Sequence, residues 1–379
     1  MAPAARLARA PQERRGLVYP FGTARPADGA IAEVAEGVFW LRMPLPFSLD
    51  HINLWLLDGG DHWVVVDTGV NSPVVAEHWR ALLAGPLAEK PVGRILVTHY
   101  HPDHVGLAGW LSRKTGAPLF MTRGEFMLAR VLTLDVAPEV PAEVLAFYAA
   151  AGWSEAELGR LEAGGWGRFA RGVARLPTGY RRLREGDVLE IGARRWEVVV
   201  GAGHSPEHAC LHCAADGLLI SGDQVLPRIT SNVSVYPTEP EADPLGDWLL
   251  SIERLRRLPD DTLVLPAHNE PFTGLHDRLD QLAGDHHEKL ERLAAFLAEP
   301  RTVTDCFPTL FGRRIAADEL QMATGEALAH LAWLRARGRV AAWRADGVMR
   351  FRASREKGGL PEAADGASVA PRPGGAAAS

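Results

Sequence analysis

Seven side chains of the kind that hold transition metals stand where apolar runs of this sequence end. The densest group lies in Arg-Ile-Leu-Val-Thr-His-Tyr-His-Pro-Asp-His, residues 94–104, which places His99, His101, Asp103 and His104 within six residues. Imidazole nitrogen and carboxylate oxygen are standard zinc donors, and the absence of cysteine from the group points to an open catalytic site rather than a closed structural one. A loop leaving a strand can turn all four inward, because it is released from the alternation of faces that a continuing strand imposes. One histidine would read as part of a solvated loop; four donors at this spacing do not. Three later positions repeat the context: His204 in Val-Val-Val-Gly-Ala-Gly-His-Ser-Pro-Glu-His, Asp223 in Leu-Leu-Ile-Ser-Gly-Asp, and His268 in Leu-Val-Leu-Pro-Ala-His. Each alone reads as a capping or core group. Together they fit a site built where several strand ends converge on one edge of a layered sheet.

The elements needed to position them are legible. Short β-branched or aromatic runs bounded by Gly, Pro or Asp begin at Val38, His51, His62, Arg94, Arg194, Ala209, Gly217 and Thr262, and read as strands. Helical periodicity at 73–84, 104–115 and 243–257 intervenes, so the fold class is mixed α/β. Between about 120 and 182 the strand pattern stops and amphipathic stretches at 123–133 and 139–150 read as a helical insertion. A long amphipathic helix at 277–299 leads to a helix, a longer helix at 317–337, and a hairpin turning at Ala345-Asp346-Gly347. Helix, helix and hairpin suggest a winged-helix-like domain, so the chain divides into a catalytic unit at 31–275 and a linking helix plus appended module at 276–353. Residues 1–30, rich in Ala, Pro and Arg, and 354–379, rich in Ala, Gly and Pro, read as disordered tails.

Hydrophobic residues at 47% and charged residues at 23% are ordinary globular values across the 379 residues. A net charge of -6 supplies no global field for a polyanion. Three cysteines, Cys210, Cys213 and Cys306, are too few to staple the chain and suit a reducing compartment. The Cys210/Cys213 pair reads as core packing inside a strand, its members facing opposite ways. Trp55, Trp63, Trp166 and Trp196 likewise read as core. The start carries no continuous apolar stretch, and no window approaches a membrane span, so the expected location is cytoplasmic, without membrane association.

His-x-His-x-Asp-His followed by a distant His, Asp and His resembles the metallo-β-lactamase superfamily, over roughly residues 31–275. Asp67-Thr68-Gly69 matches the family's upstream strand-end turn. The resemblance implies a four-layer αββα sandwich. It places one metal on His99, His101 and His204, a second on Asp103, His104 and His268, and Asp223 as a bridge. Two zinc ions are the implied cofactors, with iron or manganese as alternatives. Two cations about 3.5–4 Å apart lower the pKa of a bridging water, so the implied nucleophile is hydroxide, with Asp103 and Asp223 as the catalytic carboxylates. Asp67 and His208 are expected to support ligands from behind, and Arg228 and Asn232 to contact substrate. No Gly-x-Ser-x-Gly elbow competes.

Within the superfamily, the motif set and the C-terminal module look most like the glyoxalase II-like hydrolases and their lactamase-like relatives, some of which are endoribonucleases. The expected substrate is a small thioester or ester. Phosphodiester cleavage in RNA, or lactonase or β-lactamase-like activity, stays open, because metal-activated water attacks carbon or phosphorus alike. Residues 300–357 carry ten Arg and one Lys against six acids, a net +5, which favours a lid or interaction module over a nucleic-acid reader. A homodimer also stays open.

Overall fold

The computed structural model describes residues 7–46 and 49–354. The expectation of a disordered tail at 354–379 falls outside the described residues from 355 onward.

Two sheets face each other. The first runs Ile31–Ala35, Val38–Pro44, His51–Asp58, Trp63–Val66, Val92–Leu96, Leu119–Met121 and Arg181–Arg182 in spatial order, antiparallel through the first four strands and parallel beyond. The second runs Val188–Ile191, Arg194–Gly201, His208–Cys213, Leu218–Gly222 and Leu263–Pro266, with only the last pairing parallel. Period-two alternation sorts their side chains into layers. Trp40, Trp55, Val64, Trp196, Leu211 and Ile220 meet between the sheets. Leu41, Leu54 and Val65 point the other way, onto Val75, Trp79 and Leu82 of the helix Pro73–Ala84. Val199, Cys210 and Leu219 do the same beneath Trp248 and Ile252 of the helix Pro244–Leu255. Helix, sheet, sheet, helix is the result. Cys210 and Cys213 lie in different clusters, both buried and free, and Trp55, Trp63 and Trp196 are core.

The insertion comprises helices Arg123–Leu134, Ala142–Ala150, Glu155–Ala163 and Phe169–Gly172 between two parallel neighbours of the first sheet. The helix Leu275–Phe296 leads into a short helix, Phe307–Phe311, a longer one, Leu320–Ala336, and the hairpin Val340–Ala345 with Val348–Ala353. Positive φ at Asp346 and Gly347 matches a two-residue hairpin turn.

Residues 7–30 correct the expectation of a disordered N-terminal tail. Gln12–Arg14 pairs with Leu17–Tyr19, and Val18 exchanges backbone hydrogen bonds with Thr273. Leu17, Tyr19 and Phe21 are buried in the core. Three apolar anchors among polar residues suffice to dock an extended segment, although its Ala, Pro and Arg content carries no helical or strand period. Among the described residues no helix is long and apolar enough to cross a membrane.

Candidate metal centre

Five strand ends reach one edge. Trp63–Val66 and Val92–Leu96 run parallel in one sheet; Arg194–Gly201, Leu218–Gly222 and Leu263–Pro266 share a direction in the other. The loops after them carry Asp67, the 99–104 group, His204, Asp223 and His268. Backbone bonds tie the two edges together, Ala209 N donating to Thr98 O at 2.8 Å and Asn53 N to Ala267 O at 2.6 Å.

The structure brings all seven ligand-type residues together. One donor atom each from His99, His101, His204 and Asp223 lies within 4.8 Å of the others, and the same holds for Asp103, His104 and His268. Asp223 spans the two groups: Oδ2 stands 3.4 Å from His204 Nε2, while Oδ1 stands 3.5 Å from His104 Nε2 and 3.4 Å from His268 Nε2. His99 Nε2 lies 2.9 Å from His101 Nδ1 and 3.2 Å from His204 Nε2.

Three of the rings are aimed by a bond on the nitrogen that faces away from the cluster. His104 Nδ1 donates to Asp67 Oδ2 at 2.8 Å, His204 Nδ1 to the Asn232 carbonyl at 2.7 Å, and His268 Nδ1 to the His51 carbonyl at 2.9 Å. Because a carboxylate or carbonyl oxygen only accepts, these bonds put the one N–H of each neutral ring on Nδ1, so that Nε2 is the nitrogen left to present a lone pair inward. His208 acts differently, its Nε2 accepting from the backbone N–H of Asp223 at 3.1 Å. Gly222 makes room for that bond, since a Cβ there would stand 2.5 Å from His208 Nε2.

His104 Nε2 and Asp223 Oδ1 are buried without a hydrogen-bond partner. Imidazole nitrogens and carboxylate oxygens that converge with no donor between them repel, so this donor set fits cations between its members. The charges agree. Burial alone would raise Asp103, but His104 and His268 hold it near 2. Burial pulls His101 down to about 3, whereas the carboxylates of Asp67, Asp103 and Asp223 override burial at His104 and hold it well above the usual imidazole range. The pocket demands positive charge.

Arg228, expected at the substrate, pairs with Asn269 Oδ1 and with Glu270, both at 2.8 Å. Asn232 reaches the site through its carbonyl under His204. Sequence reasoning missed His51, which carries His268 on its carbonyl and accepts from Asn269 N at Nε2. It also missed Glu125, a buried carboxylate whose burial pushes it up to about 7 against the pull of the hydrogen bonds it accepts. Neither has a motif, because their partners are backbone atoms distant in sequence.

The family model for the metallo-beta-lactamase superfamily matches residues 48–268, and that for the metallo-beta-lactamase-like C-terminal domain matches residues 290–354. The chain therefore belongs to the metallo-β-lactamase superfamily. Within it, the chain is a metallo-hydrolase that carries the C-terminal domain behind the catalytic one. It is 25% identical to the probable metallo-hydrolase YqjP of Bacillus subtilis over 78% of this chain and 91% of that protein. It is 30% identical to the acyl-coenzyme A thioesterase MBLAC2 of Gallus gallus, over 68% of this chain and 85% of that one. A β-lactamase domain protein of Burkholderia ambifaria, solved by crystallography, superimposes with a TM-score of 0.82 at 44% identity, covering 89% of this chain and 98% of its own.

Proposed function

We propose that this chain is a dinuclear zinc hydrolase acting on a small thioester or ester. The observation that carries the reading is the placement of Asp223, whose two oxygens face two separate sets of bare imidazole nitrogens. His99, His101 and His204 would hold one ion, Asp103, His104 and His268 the other, with Asp223 between; zinc suits this nitrogen and oxygen set, with iron or manganese as alternatives. When bound, the pair supplies an activated water and polarises the carbonyl it attacks. Asp103 turns Oδ2 toward His268, leaving Oδ1 to orient the attacking water. Asp67, the Asn232 carbonyl and the His51 carbonyl keep the rings in the tautomer that exposes Nε2. A cavity of about 180 Å³ beside His204, walled by Tyr100, Ser205, Ser234 and Tyr236, offers hydroxyl groups to a small polar substrate.

The thioester is favoured by the relative named as an acyl-coenzyme A thioesterase. RNA is disfavoured because several of the C-terminal arginines are engaged by acids: Arg313 with Glu319, Arg337 with Asp243, Arg339 with Glu291. The test is elemental analysis of the isolated chain together with a screen of thioesters, esters, lactones, β-lactams and structured RNA. Two metal equivalents and thioester turnover are expected, with Asp103→Ala slower by on the order of 10²-fold or more. One or no metal in folded protein overturns the dinuclear reading, and RNA cleavage without thioester turnover overturns the substrate class.

A further inference from the structure

The helix Arg123–Leu134 contributes no metal ligand, yet its first turn buries a carboxylate between two of the ligand loops. Glu125 is fully buried. Its Oε2 accepts from the backbone N–H of Tyr100 at 2.8 Å, between His99 and His101. Its Oε1 accepts from the N–H of Glu207 at 2.7 Å, three residues past His204. The grip is returned: Glu207 Oε2 accepts from the N–H of Gly124 at 2.7 Å, and Thr122 Oγ1 donates to the Glu207 carbonyl at 2.7 Å.

These four bonds close a ring through the helix start and the loops that carry His99, His101 and His204. Asp103 and His104 come from the same first loop, but the rings of the other half have supports of their own, His104 in Asp67 and His268 in the His51 carbonyl. The loop at 99–104 belongs to one sheet and the loop at 204–208 to the other, so a bond to both fixes the gap that the three imidazoles must share.

We propose that Glu125 is a positioning residue that presets the three-histidine half of the centre and thereby sets the affinity for one of the two metal ions. The inference rests on the dinuclear reading. Only a carboxylate accepts on two oxygens at this reach. Glutamine would turn an N–H₂ against one of the two backbone N–H groups, and aspartate is one methylene short. A buried carboxylate is costly unless hydrogen-bonded, so the geometry persists because both N–H groups are satisfied together.

The experiment titrates zinc into the metal-free full chain against a competing chelator, and follows cobalt(II) absorption at each equivalent, for wild type, Glu125→Gln and Glu207→Ala. In Glu125→Gln one equivalent should bind about 10–100-fold more weakly, the scale on which outer partners of ligands act. The second equivalent should stay near wild type, while the melting temperature of the metal-free protein falls only modestly, by the loss of one acceptor for a buried N–H. Glu207→Ala, which removes only the return bond to Gly124, should weaken the same equivalent by less, and it carries the test alone if Glu125→Gln does not fold. Wild-type affinity at both equivalents overturns the proposal. So does equal weakening of both together with a fallen melting temperature, which marks a merely structural carboxylate. Wild type that binds no metal overturns the dinuclear reading itself, and this inference with it.

Discussion

Asp67 shows how one residue sets the chemistry of another. It sits at φ +62°, a left-handed conformation that Asp tolerates better than most residues. Its oxygens accept from the Thr98 N–H, the Thr98 hydroxyl and His104 Nδ1, each at 2.8 Å. Asp67→Asn keeps the backbone preference but places a donor where His104 Nδ1 now donates, which drives the proton of that ring to Nε2. The lone pair needed for the metal is lost. The expected outcome is a loss of about 10–100-fold in affinity for the ion held by Asp103, His104 and His268, leaving the three-histidine half close to wild type. Zinc competition reads it directly, and unchanged affinity would show that Asp67 does not set the tautomer.

At the scale of elements, the helices Leu275–Phe296 and Leu320–Ala336 meet through a buried pair, His286 Nδ1 and His330 Nε2 at 3.2 Å. Burial pushes His286 down to about 2, with His330, Lys289 and His287 adding to the effect. His330 is also lowered by burial, and Glu326, which pairs with Lys289 at 3.0 Å, opposes the shift. A histidine with a depressed pKa binds its proton more readily in the unfolded chain. The stability it permits is therefore complete above its unfolded pKa of about 6.5 and declines as pH falls below it, by at most about 1.4 kcal/mol per pH unit per histidine. Acidification from pH 7 to 5 should lower the melting temperature of the metal-free protein, and His286→Gln should flatten that slope. A variant whose slope matches wild type would sink the assignment.

Across the whole molecule, the C-terminal domain reaches the metal centre indirectly. The segment after Asp223 supplies the carbonyl under His204, and Val235 N donates to Gly325 O of the helix Leu320–Ala336 at 3.1 Å. Trp153 of the insertion donates from Nε1 to Thr324 Oγ1 on the same helix at 2.9 Å. An apolar cavity of about 360 Å³ lies where these parts meet, lined by Phe147, Val235, Leu328, Ala332 and Phe351 among others. Truncation after residue 299 would bare Leu290 and Leu293, which pack with Val303, Leu331 and Leu334. The truncated chain should melt lower and show altered kinetics on small substrates, because the support beneath His204 loosens. RNA affinity of the full chain should stay weak. Tight binding that falls by orders of magnitude between about 50 and 200 mM salt, and vanishes when Arg313, Arg314, Arg337 and Arg339 become Ala, would promote the nuclease alternative.

The sequence by itself determined eight strands of the two facing sheets, though not the edge strands Ile31–Ala35, Arg181–Arg182 and Val188–Ile191 or the short Leu119–Met121, together with most helix positions and the seven ligand-type residues that the fold brings together. Each of these is local: apolar alternation, a 3.6-residue period, or ligand-type residues at the end of a run. The helix at 73–84 and the hairpin around Asp346-Gly347 stand where the pattern puts them. Tertiary structure alone decided which backbone atoms the donors lean on. Glu125 and His51 carry no local signal, since the N–H of Tyr100 and Nδ1 of His268 come to them only when strands from two sheets meet at one edge. Residues 7–30 were misread for the same reason: their order comes from docking Leu17, Tyr19 and Phe21 on a core assembled from distant parts of the chain, and no periodicity within the segment encodes it.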